Sequence, residues 1–337
     1  MEEKKLYPFK FCTLQDEYVW GTDEFKLADL GYRDSLIREG WLAGNAISEL
    51  MDTYLDRMVG ENVYKFWGRQ FPVQIKHIRV KGHMPLRVHP DAQTAVQRYD
   101  FLGREKLWYV LRAGTGAVLS IGFEHDTDAS ELVEACSGGT VDKLLHHINP
   151  EAGPFFHIRR GVPHAAQGDV ELLEVSESSP LDFCLCTWGE ELNTDEFDPG
   201  LDLTDALDFI DYKAWSAPET PHCHKQDVLR KLIDIPEFTV SKIALTDPMH
   251  IYNDKFDSFI LYHCLKGEAS VQMEVLGQTA RFAMSEGQSL LVPAECPDFF
   301  LVPTDRNTEL LEVTIAPREE QDSYLSAPAS DGNKGYS

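Results

Sequence analysis

The feature that most constrains this chain is an internal repeat. GPFFHIRRGVPHAAQGDVELLEV (153–175) and GQSLLVPAECPDFFLVPTDRNTELLEV (287–313) carry the same landmarks in the same order. Each opens on a glycine, has Arg159 or Pro293 six positions on, Gly161 or Glu295 two further, His164 or Asp298 three further, and closes on Leu-Leu-Glu-Val. An apolar strand, a tight turn and a return strand account for that order. Upstream, YVLRAGTGAVLSI (109–121) and YHCLKGEASVQM (262–273) read as the preceding hairpin of each copy. A β unit written twice and closed on itself predicts two barrels of one kind.

The remaining apolar residues agree. They come in short runs bounded by Gly or Pro, among them FPVQIKHIRV (71–80), AVLSIGF (117–123), FTVSKIAL (238–245) and SLLVPA (289–294). Helix-like spacing is confined to 34–60 and to the neighbourhood of 204–215. The expected division is a first barrel with leading helices and the candidate active site at 1–188, an acidic helical connection at 189–225, a second barrel at 226–317 and a polar, flexible tail at 318–337. With 31 Lys and Arg against 56 Asp and Glu, the formal charge is -25. That field repels nucleic-acid phosphates and anionic membranes, no basic cluster offsets it, and neither is expected as a partner. An anionic ligand has to be attracted locally, so basic residues inside a pocket carry information. Seven cysteines without regular spacing suit reduced thiols. No run reaches the roughly 18 apolar residues of a membrane span, and the start lacks the apolar stretch of a signal peptide. A soluble, cytoplasmic protein is the expectation.

Copy one satisfies Gly, five residues, Pro, one residue, Gly, two residues, His, save for Arg159 in the Pro place, and so resembles the second motif of the cupin barrels. The fold expected is mainly β: two cupin-type barrels (double-stranded β-helix or jelly-roll) with a few flanking helices. From about residue 18 to 212 the chain is also similar, segment by segment, to the type I phosphomannose isomerases. The matching stretches are VWG (19–21), ISELM (47–51), FPVQIKHI (71–78), LRVHPD (86–91), GREKLWYVLRAGTGAVLSIGF (103–123), GPFFHIRRGVPHA (153–165), LLEVSESS (172–179) and TDALDFIDY (204–212).

That resemblance implies a zinc ion held by Gln and His of Gln-Val-His-Pro, by Glu of Gly-Lys-x-Glu-x-Trp-Tyr and by the His of Ala-Gly-x-x-His-Ala. Here the first reads Arg87-Val88-His89-Pro90, and Lys106 holds the glutamate's place. His89 and His164 are kept, and Glu174 matches the family's Leu-Leu-Glu. Cys184 stands where the family has an arginine. Two of four ligand positions are therefore cations without a lone pair for a metal. The cofactor expectation is none, or zinc held weakly by His89 and His164, with help from His83, His157 or Glu174. Glu105 cannot replace Lys106 as a ligand, because strand neighbours face opposite ways and the family register puts Lys106 and Trp108 together inside.

Arg87 and Lys106 keep such a pocket electropositive without an ion. Arg87 and His89, two apart, share a face, where a guanidinium can clasp a phosphate, carboxylate or hydroxyl. The implied activity is aldose–ketose isomerisation of a sugar or sugar phosphate, which needs a polarised carbonyl oxygen and removal of the neighbouring carbon-bound proton. Lys106, with a pKa lowered by Arg87, is one acid–base candidate, and His89, His164 and Glu174 are its counterparts. Arg87, Arg104 and Trp108 are the substrate-binding candidates. Two alternatives remain open: a non-catalytic cupin that binds a sugar or organic anion as a sensor or partner protein, with Arg87 and Lys106 plugging the barrel through salt bridges to Glu174 or Glu105, and a carbohydrate enzyme with redirected chemistry. The His222-Cys223-His224 triplet lacks further spaced ligands, and Cys184 and Cys186 read as a reduced pair on one strand face. Asp298 in place of the histidine gives the second copy a structural part.

Overall fold

A computed structural model describes residues 4–189, 203–217, 228–252, 257–275 and 277–316. The His222-Cys223-His224 triplet, most of the acidic connection and the tail lie outside the described residues. The repeat is real at the level of topology. In the first half, one sheet runs in the order Leu14–Tyr18, Gly21–Leu27, Val73–Val80, Val170–Glu177, Lys106–Ala113, Phe155–Ile158. Facing it is a sheet ordered Phe183–Cys186, Leu86–Val88, His164–Gln167, Val118–Phe123, Leu145–Ile148. The second half repeats both: Leu229–Asp234, Thr239–Leu245, Thr308–Thr314, Ile260–Lys266, Ser289–Val292 against Met249–Tyr252, Asp298–Pro303, Glu268–Val275, Gln278–Ser285. All these pairings are antiparallel, and the fold is mainly β, as the sequence predicts.

The two barrels are welded through the outer faces of their larger sheets. Leu107, Tyr109, Leu173 and Val175 share one buried cluster with Val240, Leu261, Leu311 and Val313. Their strand neighbours Trp108, Val110 and Leu172 point the other way, into the first barrel. A strand buried on both faces reads as a continuous apolar run, as LWYVL at 107–111 does. In Val73–Val80 the interior face carries Gln74 and Lys76, then Ile78 and Val80.

The second barrel's interior is filled by Tyr262, Val271, Leu290, Phe299 and their neighbours. Tyr262 lies directly opposite Glu312, the counterpart of Glu174 in the Leu-Leu-Glu-Val repeat. Asp298, at the histidine position, is exposed and bonded to His250 Nε2 at 2.6 Å.

The helical reading of 34–60 needs correction. Residues 34–46 are turns and bridges, with Leu36 paired to Ala46, and Gly40 and Gly44 both at positive φ. Helix begins at Ile47, where the Glu49 carboxylate accepts from Ala46 N–H at 2.8 Å, and is broken into Ile47–Tyr54, Asp56–Val59 and Glu61–Trp67 by Leu55 and Gly60 at positive φ. Around 204–215 only Leu203–Ala206 is helical. Two glycines position the site. Gly21 brings the first hairpin so close to its neighbour strand that a Cβ would lie 1.9 Å from the Arg79 carbonyl oxygen. Gly161, at φ +78°, makes the turn before His164 and donates its N–H to the His89 carbonyl at 2.8 Å.

Candidate functional site

Three adjacent strands bring polar residues to the interior face: Gln74 and Lys76 from one, Glu174 and Ser176 from the next, Lys106 and Trp108 from the third. Glu174 is directly opposite Lys76 on one side and Trp108 on the other, and Lys106 precedes Trp108 by two. Glu174 Oε2 accepts from Trp108 Nε1 at 2.8 Å and from Lys106 Nζ at 3.2 Å, while Oε1 faces Lys76 Nζ at 3.4 Å and Ser176 Oγ at 3.3 Å. Lys76 also meets Asp23 at 3.2 Å. From the facing sheet His164 presents Nε2 to Lys106 Nζ at 3.1 Å, and its Nδ1–H donates to the Val162 carbonyl at 2.9 Å. His89 Nδ1–H donates to the Leu181 carbonyl at 3.0 Å, which leaves a lone pair on Nε2; that buried atom has no partner among the described residues. Arg87, on the same face as His89, is ion-paired to Asp182.

Charge sets the protonation states. Burial pulls the Lys106 pKa down, Arg104 and Lys76 pull with it against Glu174, and it falls to about 8. Burial also tends to lower Lys76, yet Asp23 and Glu174 outweigh it and raise the value. The Glu174 carboxyl would rise on burial but is held well below the usual range by Lys106, Lys76 and Arg104. Asp182, likewise opposed by burial, is kept low by Arg87, Arg104 and Lys106. Burial first and Lys106 second lower His164 to about 3 and put His89 far below its ordinary value. Near neutrality Lys76, Arg87 and Lys106 are therefore cations, Glu174 and Asp182 carboxylates, and both imidazoles neutral.

Beside this network opens a cavity of about 200 Å³ lined by Lys76, Arg87, Arg104, Asp23, Asp182, Gln74 and Cys184, with Tyr18, Phe25, Leu30 and Tyr32. Arg87 and Arg104 thus reach it, whereas Lys106, His89, His164, Glu174 and Trp108 lie behind. Trp108 is fully buried with its N–H committed to Glu174. Glu105 faces the opposite way from Lys106, as strand alternation requires, and accepts from His157 at 2.6 Å. His83 stacks on Trp188, ring centroids 3.8 Å apart. Neither His83 nor His157 joins His89 and His164. Arg87 pairs with Asp182 rather than with Glu174 or Glu105. Cys184 and Cys186 do not act as a pair on one face: a register shift between them leaves Cys184 on the cavity and turns Cys186 into the outer apolar cluster.

Zinc does not fit this donor set. The Lys106 ammonium, which has no lone pair, stands within 3.2 Å of both His164 Nε2 and Glu174 Oε2, leaving His89 Nε2 as the free donor of the three. Among the described residues no group of three or more His, Cys, Asp or Glu is placed to hold a metal. Sequence reasoning missed Asp23, Lys76 and Asp182. Lys76 carried no distinct signal, since Gln74, His77 and Arg79 of the same strand are polar too. Asp23 and Asp182 carried none, being acidic residues in an acidic chain.

Fold and site together define a double cupin barrel with a polar, cation-rich pocket in its first half. Within that class the relatives are mannose-6-phosphate isomerases. The chain is 33% identical over 109 residues to the mannose-6-phosphate isomerase of Streptococcus mutans, a match that covers 32% of this chain and 34% of that protein. It is 21% identical over 268 residues to the putative mannose-6-phosphate isomerase YvyI of Bacillus subtilis, covering 79% and 81%. The fold superposes on the solved mannose 6-phosphate isomerase from Bacillus subtilis with a TM-score of 0.76 at 18% identity, covering 91% and 99% of the two chains. A putative mannosephosphate isomerase from Archaeoglobus fulgidus gives 0.71 at 18% identity, covering 93% and 98%. No family model matches. The resemblance read from the sequence motifs holds, and no helix among the described residues is long and apolar enough to cross a membrane.

Proposed function

We propose that this protein is an aldose–ketose isomerase of a sugar phosphate, working in the first barrel with the Lys106 ammonium where the family resemblance calls for zinc. The observation that carries the reading is the seat of Lys106 Nζ, 3.1 Å from His164 Nε2 and 3.2 Å from Glu174 Oε2, two groups of the family motifs. The kinship with mannose-6-phosphate isomerases supports the reaction class.

Isomerisation moves a proton between adjacent carbons while negative charge builds on an oxygen. Lys76, Arg104 and Lys106 supply fixed positive charge for that oxygen. Of the four catalytic candidates, His89 has an uncommitted proton-accepting atom, so it takes the carbon-bound proton. His164 is occupied at both ring nitrogens, and Glu174 has both oxygens engaged. Residues 1–188 then form the reacting unit and 226–317 its support. A small polyhydroxylated substrate and a cytoplasmic setting go with this reading.

A second reading rests on a specific observation: Lys106, His164, Glu174 and Trp108 saturate one another and do not line the cavity, as in a cupin that binds without reacting. The test is conversion of mannose 6-phosphate, fructose 6-phosphate and the free hexoses by chelator-treated protein. Conversion should persist without metal and be lost in Lys106→Met and His89→Gln. Activity that appears solely with added zinc overturns the ammonium's role, and binding without turnover in any metal condition selects the second reading.

A further inference from the structure

Two thiols meet away from the barrel interior, in the outer apolar cluster of the first barrel's five-stranded sheet. Cys136 lies in the last turn of the helix Ala129–Ser137, and Cys186 ends the edge strand Phe183–Cys186. Cys186 is buried in that cluster with Leu132, Ala135, Phe183 and Leu185, and Cys136 packs against it half-buried. The two side chains are hydrogen-bonded to each other. They are fifty residues apart in sequence, and the docking of the helix on the strand is what brings them together. Both are thiols.

A thiolate, not a thiol, attacks an oxidant. The hydrogen bond with Cys186 favours the thiolate of Cys136 and lowers its pKa, against a smaller opposing effect of burial. Cys264 and Cys296 are the contrast: burial raises them to about 11 and about 12, and each donates to a backbone carbonyl. Cys184 is separated from Cys186 by the register shift, faces the cavity, and donates to the Cys186 carbonyl at 3.6 Å. To bond, the Cys136 and Cys186 sulfurs must close from hydrogen-bond contact to about 2 Å. The helix end permits that movement. Ser137 is followed by Gly138 and Gly139, the second at φ +65° and uncrowded, so the last turn adjoins the residues with the widest backbone freedom.

We propose that Cys136 and Cys186 form a reversible redox pair, oxidised by hydrogen peroxide to a disulfide that locks the helix onto the edge strand. The Cys136 thiolate attacks one peroxide oxygen, the O–O bond breaks, and hydroxide leaves, giving a sulfenic acid. The Cys186 sulfur then attacks the Cys136 sulfur: the S–S bond forms, the S–O bond breaks, and the departing hydroxide takes the Cys186 thiol proton and leaves as water. Two thiols and one peroxide become one disulfide and two waters. An external dithiol reverses the bond and is itself oxidised to a disulfide. The pair stands apart from the reaction proposed for the barrel interior and holds whether or not that reaction occurs.

The experiment treats the full, pre-reduced chain with hydrogen peroxide in native buffer, blocks the remaining thiols with an alkylating reagent, and maps the digest by mass spectrometry before and after dithiothreitol. A Cys136–Cys186 cross-link should be the first disulfide to form and should vanish with dithiothreitol, while Cys264 and Cys296 stay as thiols. The oxidised chain should melt roughly 5 °C above the reduced one, because closing a loop of about fifty residues restricts the unfolded chain. Cys136→Ser and Cys186→Ser should each lose the cross-link and the shift, whereas Cys184→Ala, which removes the competing sulfur, should keep both. The map of the unaltered chain decides even where a variant fails to fold. A bond from Cys184 in place of Cys186, a cross-link that forms solely in denaturant, oxidation of Cys136 that dithiothreitol does not reverse, or a cross-link with no change in melting overturns the proposal.

Discussion

Replacing Lys106 with methionine isolates the energetic consequence of burying an ammonium beside two other cations. In the folded chain Lys106 gives up its proton near pH 8, chiefly because it is buried, with Arg104 and Lys76 adding to the effect. The unfolded chain holds that proton to the ordinary value of 10.5. Between the two the unfolded state binds more protons, so stability rises with pH through this window, and the penalty of the charged form is fully present below pH 8. The gap corresponds to about 3 kcal/mol. A methionine of similar length has no such dependence. The stability of the native protein relative to Lys106→Met should therefore climb by about 3 kcal/mol from pH 7 to 10.5, with the rise already visible by pH 9. Burial raises the Cys264 and Cys296 thiols to about 11 and about 12, which acts in the opposite sense above pH 9, but both proteins share these groups and the difference cancels them. Urea unfolding of both chains across this range, followed by circular dichroism and tryptophan fluorescence, gives the comparison. A difference that stays flat or falls refutes the placement of Lys106 as a charged residue closed off from water.

The same protonation states fix the pH–rate profile: with His89 and His164 neutral throughout, kcat/KM for the sugar phosphate should be level from about pH 5.5 to 7.5 and fall above about 8 as Lys106 loses its proton. An acid limb near pH 6.5 in steady-state rates contradicts this. In a buried joint Arg160 donates to Glu177 at 2.6 Å and to Glu237 at 2.9 Å, and burial and Glu237 raise the Glu177 carboxyl to about 7 against the pull of Arg160. Its contribution is present below pH 4.5 and lost as pH rises to 7, so Glu177→Gln should flatten a loss of about 3 kcal/mol over that range in denaturant midpoints. Arg87→Gln combined with Lys106→Glu should restore a four-donor set with His89 and His164. Elemental analysis should find one zinc per chain in that variant, and a variant that binds none speaks against the alignment of these positions.

The sequence by itself determined the architecture, because strand spacing and a repeated Gly…Leu-Leu-Glu-Val order are local and survive divergence. It also determined that Lys106 points inward with Trp108, since strand alternation leaves no other face for it. At 34–46 the apolar pattern misleads, because turns through Gly40 and Gly44 at positive φ bury Ile37 and Leu42 without a helix and leave Leu36 and Trp41 exposed. What only the tertiary structure decided is the company these residues keep. Asp182 is distant in sequence from Arg87 and Asp23 from Lys76, and each neutralises its cation through a contact between strands that no spacing announces. Those pairings leave Arg104 as the unmatched cation at the cavity and His89 Nε2 as the unpartnered base behind it, because pair formation in a buried site depends on which charges the fold brings within a few ångströms.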